Sequence, residues 1–301
     1  FLAWYRGEEV MLGKSVAYIS LKNCDYSYIY FYLQTKRIDN YFFSNLTGST
    51  IKNLGLKTIR ETAVIIPENE LEQTQIGSYF QQLDTLIAQH HKKHDKLLSL
   101  KKSLLEKMFP KQDTTEPEIR FKGFSGEWEL CELGKHSIIK GRLGWKSLKQ
   151  NEYLDDGPSM IAGRHVTNGV INWNVVDHIP EWRYLESPEI MLKNDDIIFS
   201  KDGSLGNPAI IKNLQGFATI NSTMMLVRPG KKLVSDFFFQ VLKTKRFDDL
   251  IKLKVSGSSI PHLFQADMNQ FEFDYPAPEE QSEIGKLFKQ LDTLISQHKA
   301  Q

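Results

Sequence analysis

Residues 71–90, LEQTQIGSYFQQLDTLIAQH, return as residues 279–298, EEQSEIGKLFKQLDTLISQH, with 13 of the 20 positions identical. The echo extends upstream: Thr35-Lys36-Arg37 matches Thr244-Lys245-Arg246, Gly48-Ser49 matches Gly257-Ser258, and Pro67 matches Pro276. A separation of about two hundred residues is far longer than the 20–50 of a solenoid repeat. The chain therefore holds two copies of one large module, each a globular domain followed by a helix. A module present twice suits a target with two halves.

The 301 residues predict about two domains, and 41% hydrophobic residues with 11% aromatics are ample for buried cores. No apolar run is long enough for a membrane-spanning helix. Two cysteines, Cys24 and Cys131, fit a reducing compartment, and a cytoplasmic location is expected. Phe1 is not an initiator residue, so sequence upstream of it is expected. The net charge of +1 decides nothing about nucleic acid, because what matters is whether the basic groups are segregated. They are: Lys92, Lys93, Lys96, Lys101, Lys102 and Lys107 crowd one helix, and a second basic set lies between Lys135 and Lys149.

In the first copy, Val16–Leu21 reads as a strand, Asp25 as the N-cap of a helix reaching about Phe43, and Thr62–Ile66 as a strand closed by Pro67. Residues 69–109 form the clearest element, with Ile76, Phe80, Leu83, Ile87, His90, His94, Leu97, Leu104 and Met108 in a coiled-coil-like seam. About 40 residues at ~1.5 Å each give a rod of roughly 60 Å, which needs a partner along its apolar stripe. Ile284, Leu287, Phe288, Leu291 and Ile295 begin an equivalent stripe. The expected packing sets Ile76, Phe80, Leu83, Ile87 and Leu97 antiparallel against these five. His90 and His94 have metal-ligand spacing on a helix but no cysteine nearby, and a polar break in the seam accounts for them; no metal is expected.

The second globular region contains β-rich runs at Ser159–Ala162, Asp196–Ser200, Ala209–Ile211, Thr223–Arg228 and Phe271–Tyr275, separated by Gly- and Asn-rich turns, and a helix from Ser235 to about Leu253. Aligned with it, the first copy starts late: residue 1 falls near position 210, so nothing in the first copy matches 119–209.

No GxGxxG opens a helix, and there is no phosphate loop, no HExxH and no Asn-Pro-Pro-aromatic run. No cofactor is expected. Gly48-Ser49-Thr50 and Ser256-Gly257-Ser258-Ser259 hold the same place in both copies. Small hydroxyl residues with glycine suit phosphate contacts, although an ordinary turn would look the same. Lys140, Arg142, Trp145, Lys146, Arg164, His165 and Asn172–Asn174 interleave basic, amide and aromatic groups. Arg and Asn pair with purine edges and Lys with phosphate, and the alternative for each is a solvated surface. Lys201-Asp202-Gly203-Ser204 follows an apolar strand as a tight turn facing a ligand, or simply as a turn.

PEIRFKGFSGEWELCELGK at 117–135, QLDTLI at 82–87 and 290–295, and KKSLLEKMFP at 101–110 together resemble the specificity subunit of type I restriction–modification systems. The resemblance covers essentially the whole chain. It implies an α+β fold in which globular target-recognition domains are separated by long antiparallel coiled-coil spacer helices. It divides the chain into a partial first recognition domain (1–66), a central spacer helix (67–110), a second recognition domain (111–276) and a shortened C-terminal spacer helix (277–301). It also implies a non-catalytic subunit that recognises a bipartite target on double-stranded DNA. Its further partners would be methyltransferase subunits, a restriction subunit through them, and a second copy of the chain if missing segments are supplied in trans. The rival readings are a coiled-coil assembly protein whose globular domains bind protein, and a catalytic nuclease or methyltransferase.

Overall fold

The computed structural model describes residues 2–5, 7, 9–50, 52–142, 148–256 and 261–299. The chain divides into two compact units, Phe1–Lys93 with Lys299–Gln301, and His94–His298.

In the first unit, α1 (Tyr26–Tyr32), α2 (Lys36–Ser44) and α3 (Leu56–Arg60) precede the start of α4 (Glu70–Lys107). Asp25 opens α1 as expected, its carboxylate accepting from the Tyr28 amide at 2.8 Å. The helix expected to reach Phe43 breaks after Tyr32, and α2 restarts from Thr35. The Asp25 amide donates to Oε1 of buried Gln73 at 2.9 Å, while Gln73 Nε2 donates to the Pro67 carbonyl at 2.8 Å. Gly77 leaves the notch in α4 that receives α1, since a Cβ there would stand 2.7 Å from the Tyr28 amide. Val16–Leu21 and Thr62–Ile66 form no strand.

The second unit contains, in chain order, β1 (Glu129–Glu132), α5 (Leu133–His136), β2 (Ser137–Gly141), β3 (Leu154–Ile161), β4 (Val166–Thr167), β5 (Val170–Ile171), β6 (Asp177–His178), α6 (Glu181–Leu185), β7 (Ile197–Ser200), β8 (Gly206–Ile210), β9 (Ala218–Ile220), β10 (Met224–Pro229), α7 (Ser235–Val241), α8 (Lys245–Ser256), α9 (Gln265–Asn269), β11 (Glu272–Tyr275) and α10 (Pro278–Gln297). An antiparallel sheet runs β2-β10-β7-β8. Because side chains alternate along a strand, Ile197, Phe199, Met225 and Val227 enter one core with the phenylalanines of α7. Ile198, Met224 and Leu226 enter a second core with Ile161 and Ile220 on the opposite face. A sheet buried on both faces reads as a continuous apolar run, which is why Ile197–Phe199 shows no alternation in sequence. β6-β3-β9 form a second sheet, with β3 and β9 parallel, and β1 pairs with β11.

The helical elements of the two copies correspond at nearly identical spacing: α1 with α7, α2 with α8, α3 with α9, and α4 with α10. Their joints correspond as well. Gln281 repeats the role of Gln73, with Oε1 accepting from the Val234 amide at 2.8 Å and Nε2 donating to the Pro276 carbonyl at 2.7 Å. Gly285 repeats that of Gly77, since a Cβ there would meet the Cβ of Asp236 at 2.8 Å.

The expected helix seam is corrected in its details. Ile76 and Phe80 line a hollow with α1 residues of their own unit, Leu83 is half-buried and Ile87 exposed. Ile284, Phe288 and Leu291 are buried in the core they share with α7, Leu287 packs against it, and Ile295 is half-buried. The helix segment that meets α10 is the distal part of α4, where Leu97, Leu104 and Leu105 pack against this core. It runs antiparallel: Lys101 pairs with Asp292, and Phe109 lies 6.2 Å from Phe288, so numbers rise on one helix as they fall on the other. The apolar stripe on α4 thus serves two different neighbours in turn, which a single heptad pattern does not distinguish.

Candidate nucleic-acid interface

Loops gather at the end of the four-stranded sheet where β2 finishes and β7 turns into β8. The turn after β7 starts at Lys201, whose amide donates to the Thr223 carbonyl at 2.8 Å and whose own carbonyl accepts from the Leu263 amide at 2.9 Å. The Lys201 side chain lies across Gly141 at the end of β2, where a Cβ would meet its Cε at 3.5 Å. Its ammonium pairs with Asp202 at 2.7 Å. Asp202 also forms a bridge with His262 and pairs with its Nδ1, and the imidazole leans on Phe264 with centroids 4.2 Å apart. Gly203, at a φ of +70°, has no neighbour within reach, and Ser204 beside it is exposed. The left-handed conformation suits glycine and projects the turn outward.

Of the residues singled out in the sequence, the structure brings Lys140, Lys201 and Ser204 to this end, with Ser256 at the close of α8. Lys140 is half-buried with no carboxylate partner among the described residues. Lys146 and Gly257, Ser258 and Ser259 lie outside the described residues, as does Trp145. Gly163 fits against the Ser200 hydroxyl, where a Cβ would meet Oγ at 2.6 Å, so Arg164 belongs to the same neighbourhood. Arg164 pairs with Asp177, yet its side chain is 62% exposed.

Two of the expected readers are buried, and a third also caps a turn. The Arg142 side chain is only 2% exposed and stands 3.7 Å from Glu186. Burial lowers its pKa, with Glu186 acting in the opposite sense. It is a buried structural cation rather than a base reader. His165 is buried, its Nδ1 accepting from the Ala162 amide at 3.0 Å, and burial followed by Arg164 lowers its pKa. It holds a turn rather than a ligand. Asn172 is exposed, but its carboxamide oxygen accepts from the Asn174 amide at 3.2 Å and caps a short turn.

In the first unit, Gly48, Ser49 and Thr50 are exposed on a loop closed by paired backbone hydrogen bonds between Thr47 and Asn53, at 2.8 and 2.9 Å. Repeat alignment sets Asn53 opposite His262. Asn53 bridges Thr47, which aligns with Ser256, and Asp202 has no counterpart in the first copy, so no signal in the sequence pointed to the Asp202–His262 bridge. Among the described residues, no three His, Cys, Asp or Glu side chains converge as metal ligands, and no helix is long and apolar enough to cross a membrane.

Residues 2–99 and 128–301 match the type I restriction modification DNA specificity domain, one stretch for each copy of the module, and the chain belongs to that family. It is similar to the type I restriction enzyme MjaVIII specificity subunit of Methanocaldococcus jannaschii, 23% identical over 97% of this chain and 69% of the relative. Its fold resembles that of the S subunit of a type I restriction-modification system from M. genitalium, with a TM-score of 0.54 and 20% identity over 90% of this chain and 67% of the other. It also resembles the HsdS subunit from Thermoanaerobacter tengcongensis, with a TM-score of 0.53 and 15% identity over 90% and 63%. The chain thus spans about two thirds of the length of these relatives.

Proposed function

We propose that the chain is the DNA-reading subunit of a type I restriction–modification complex, without catalysis of its own. Each copy of the module takes one half of a bipartite duplex target. The repeated helices dock methyltransferase subunits, and a restriction subunit joins through them. The subunit works in the cytoplasm and needs no cofactor.

The observation that supports this reading is the gathering of Lys140, Lys201 and Ser204 at one end of the four-stranded sheet, in a chain that belongs to a DNA specificity family. Lysines and hydroxyls there meet phosphate oxygens and fix register, while Arg164 and Asn172 are the base-edge candidates still exposed. Loop 48–50 performs the corresponding task for the first copy. Selection from random duplexes, followed by gel-shift, tests the reading. A consensus with two fixed blocks and an unread gap is expected. Recovery of unbiased sequence, or capture of protein with no DNA retention, would favour an assembly role instead.

A further inference from the structure

At the end of the four-stranded sheet opposite the Lys201 turn, the start of β2 and the end of β10 enclose a hollow of about 460 Å³. Lys135, Arg228, Lys231 and Lys232 line it, and among the described residues no carboxylate does. Two of these cations are answered from outside the hollow. Lys135 pairs with Glu132 at 2.7 Å, and Arg228 donates from Nε and Nη2 to Asp196, both at 2.7 Å. Lys231 and Lys232 are exposed and meet no carboxylate among the described residues. Their backbone is fixed. They form the centre of a turn closed by the Leu233 amide on the Gly230 carbonyl at 3.0 Å, and the Gly230 amide donates to the His136 carbonyl at 2.8 Å. A Cβ at position 230 would stand 2.7 Å from that carbonyl oxygen, so the turn seats this closely only on glycine. From the other side, Gln281 Nε2 donates to the Lys232 carbonyl at 3.0 Å. Ser137 lies in the lining too, and its Oγ is buried without a hydrogen-bond partner.

We infer that this hollow is a binding site for a small polyphosphate anion. Like charges held together on a fixed turn repel one another, and an anion placed among them turns that cost into attraction. The cations crowd one small space, which matches an anion carrying several charges on few atoms. The size is that of a small-molecule site rather than a seat for a folded partner. An acceptor oxygen brought in also relieves the unpartnered Ser137 hydroxyl. Ile138 and Pro229 add an apolar wall suited to an organic group attached to the phosphates. The six residues of β10, at ~3.3 Å each, set the hollow roughly 17 Å from the Lys201 turn, so a straight duplex seated on that turn leaves it open. The first copy has no residues aligned with Lys135 and Ser137, so the site belongs to the second unit alone.

The inference does not rest on DNA reading. The full chain is titrated by calorimetry with inorganic tripolyphosphate and, separately, with a nucleoside triphosphate, both without divalent cations. One equivalent of each should bind, and Lys231→Glu combined with Lys232→Glu should weaken both at least tenfold. Both side chains are exposed, so the double variant should keep the wild-type unfolding midpoint without ligand; the Lys231→Ala and Lys232→Ala pair repeats the measurement with no charge reversal. Tighter binding of the nucleoside triphosphate supports the site and assigns the apolar wall to the nucleoside, whereas equal binding supports it for the phosphate chain alone. No binding of either anion, or binding that both double variants leave unchanged, overturns the inference. So does a tenfold loss of random-sequence duplex retention in the alanine pair, since the occupant would then be a nucleic-acid backbone. A hexaglutamate peptide that binds more tightly than tripolyphosphate overturns it too, in favour of an acidic protein segment.

Discussion

Lys243 stands 3.8 Å from Asp292 and holds its ammonium 3.8 Å above the ring of Phe239, while Lys101 already occupies the same carboxylate. Burial, and then Lys101, push its pKa down from 10.5 to about 8. Below pH 8 the folded state carries this strained charge in full. Between pH 8 and 10.5 the unfolded chain binds this proton more tightly than the folded one, so the lysine's own contribution to stability should rise with pH across that window, while the buried Cys131 thiol, pushed up to about 12, acts in the opposite sense above pH 9. The gain is on the order of 2–3 kcal/mol in urea unfolding, and Lys243→Met should flatten the rise and stabilise the protein at neutral pH. A stability difference between the wild type and Lys243→Met that stays constant from pH 8 to 10 would sink this account. At the interface, Lys140→Ala should weaken binding to all duplexes alike and lower the salt slope by about one unit. Lys201→Ala should lower it less, because Asp202 already neutralises that charge. Arg142→Ala should leave the salt slope alone and destabilise the fold by about 1–2 kcal/mol through lost packing, because Arg183 still holds Glu186 at 3.0 Å. These three residues looked alike in the sequence. Burial separates them, and burial is a property of the assembled sheet that a basic loop does not announce.

At the scale of elements, the joint between α10 and the segment leading into β1 rests on Glu280. Its side chain is buried, and Arg120 meets both carboxylate oxygens, at 2.7 and 2.8 Å. Arg120→Met should cost about 3–5 kcal/mol by leaving that carboxylate buried and unpaired. Gly285→Ala should cost about 1–3 kcal/mol by lifting α10 from α7. Chemical denaturation measures both, and a loss below about 0.5 kcal/mol in either case would contradict the packing described. The elements themselves were legible where the pattern sufficed: the long helix, the capping Asp25 and the strands of the second copy. The two missed strands are instructive. Val16–Leu21 aligns with β10, and Thr62–Ile66 aligns with β11. In the second copy these pair with β2, β7 and β1, and the first copy has no residues aligned with those partners. The strand-like pattern was present, but a strand exists only against a neighbour. The helix seam was misread for a related reason, since periodicity marks an apolar stripe without saying what lies on it.

At the scale of the whole molecule, the purified chain should transfer no methyl group from S-adenosylmethionine to DNA. Methylation should appear when a methyltransferase subunit is added. Labelled transfer by the chain alone would refute its assignment as a reading subunit. The missing cofactor and metal motifs, with the resemblance to specificity subunits, made this expectation legible in the sequence. Which bases are read was not visible, because it depends on where individual loop atoms stand.

The buried glutamines have a further consequence. Gln73 and Gln281 fasten each spacer helix through main-chain amides and carbonyls, so the bonds are indifferent to which side chains those positions carry: Asp25 in one copy, Val234 in the other. None of the loop residues at 48–50, 140, 201–204 or 256 takes part. Side chains at the fastened positions can therefore change without loosening either helix, and a chain with the segment between the two glutamines exchanged should still find its seat.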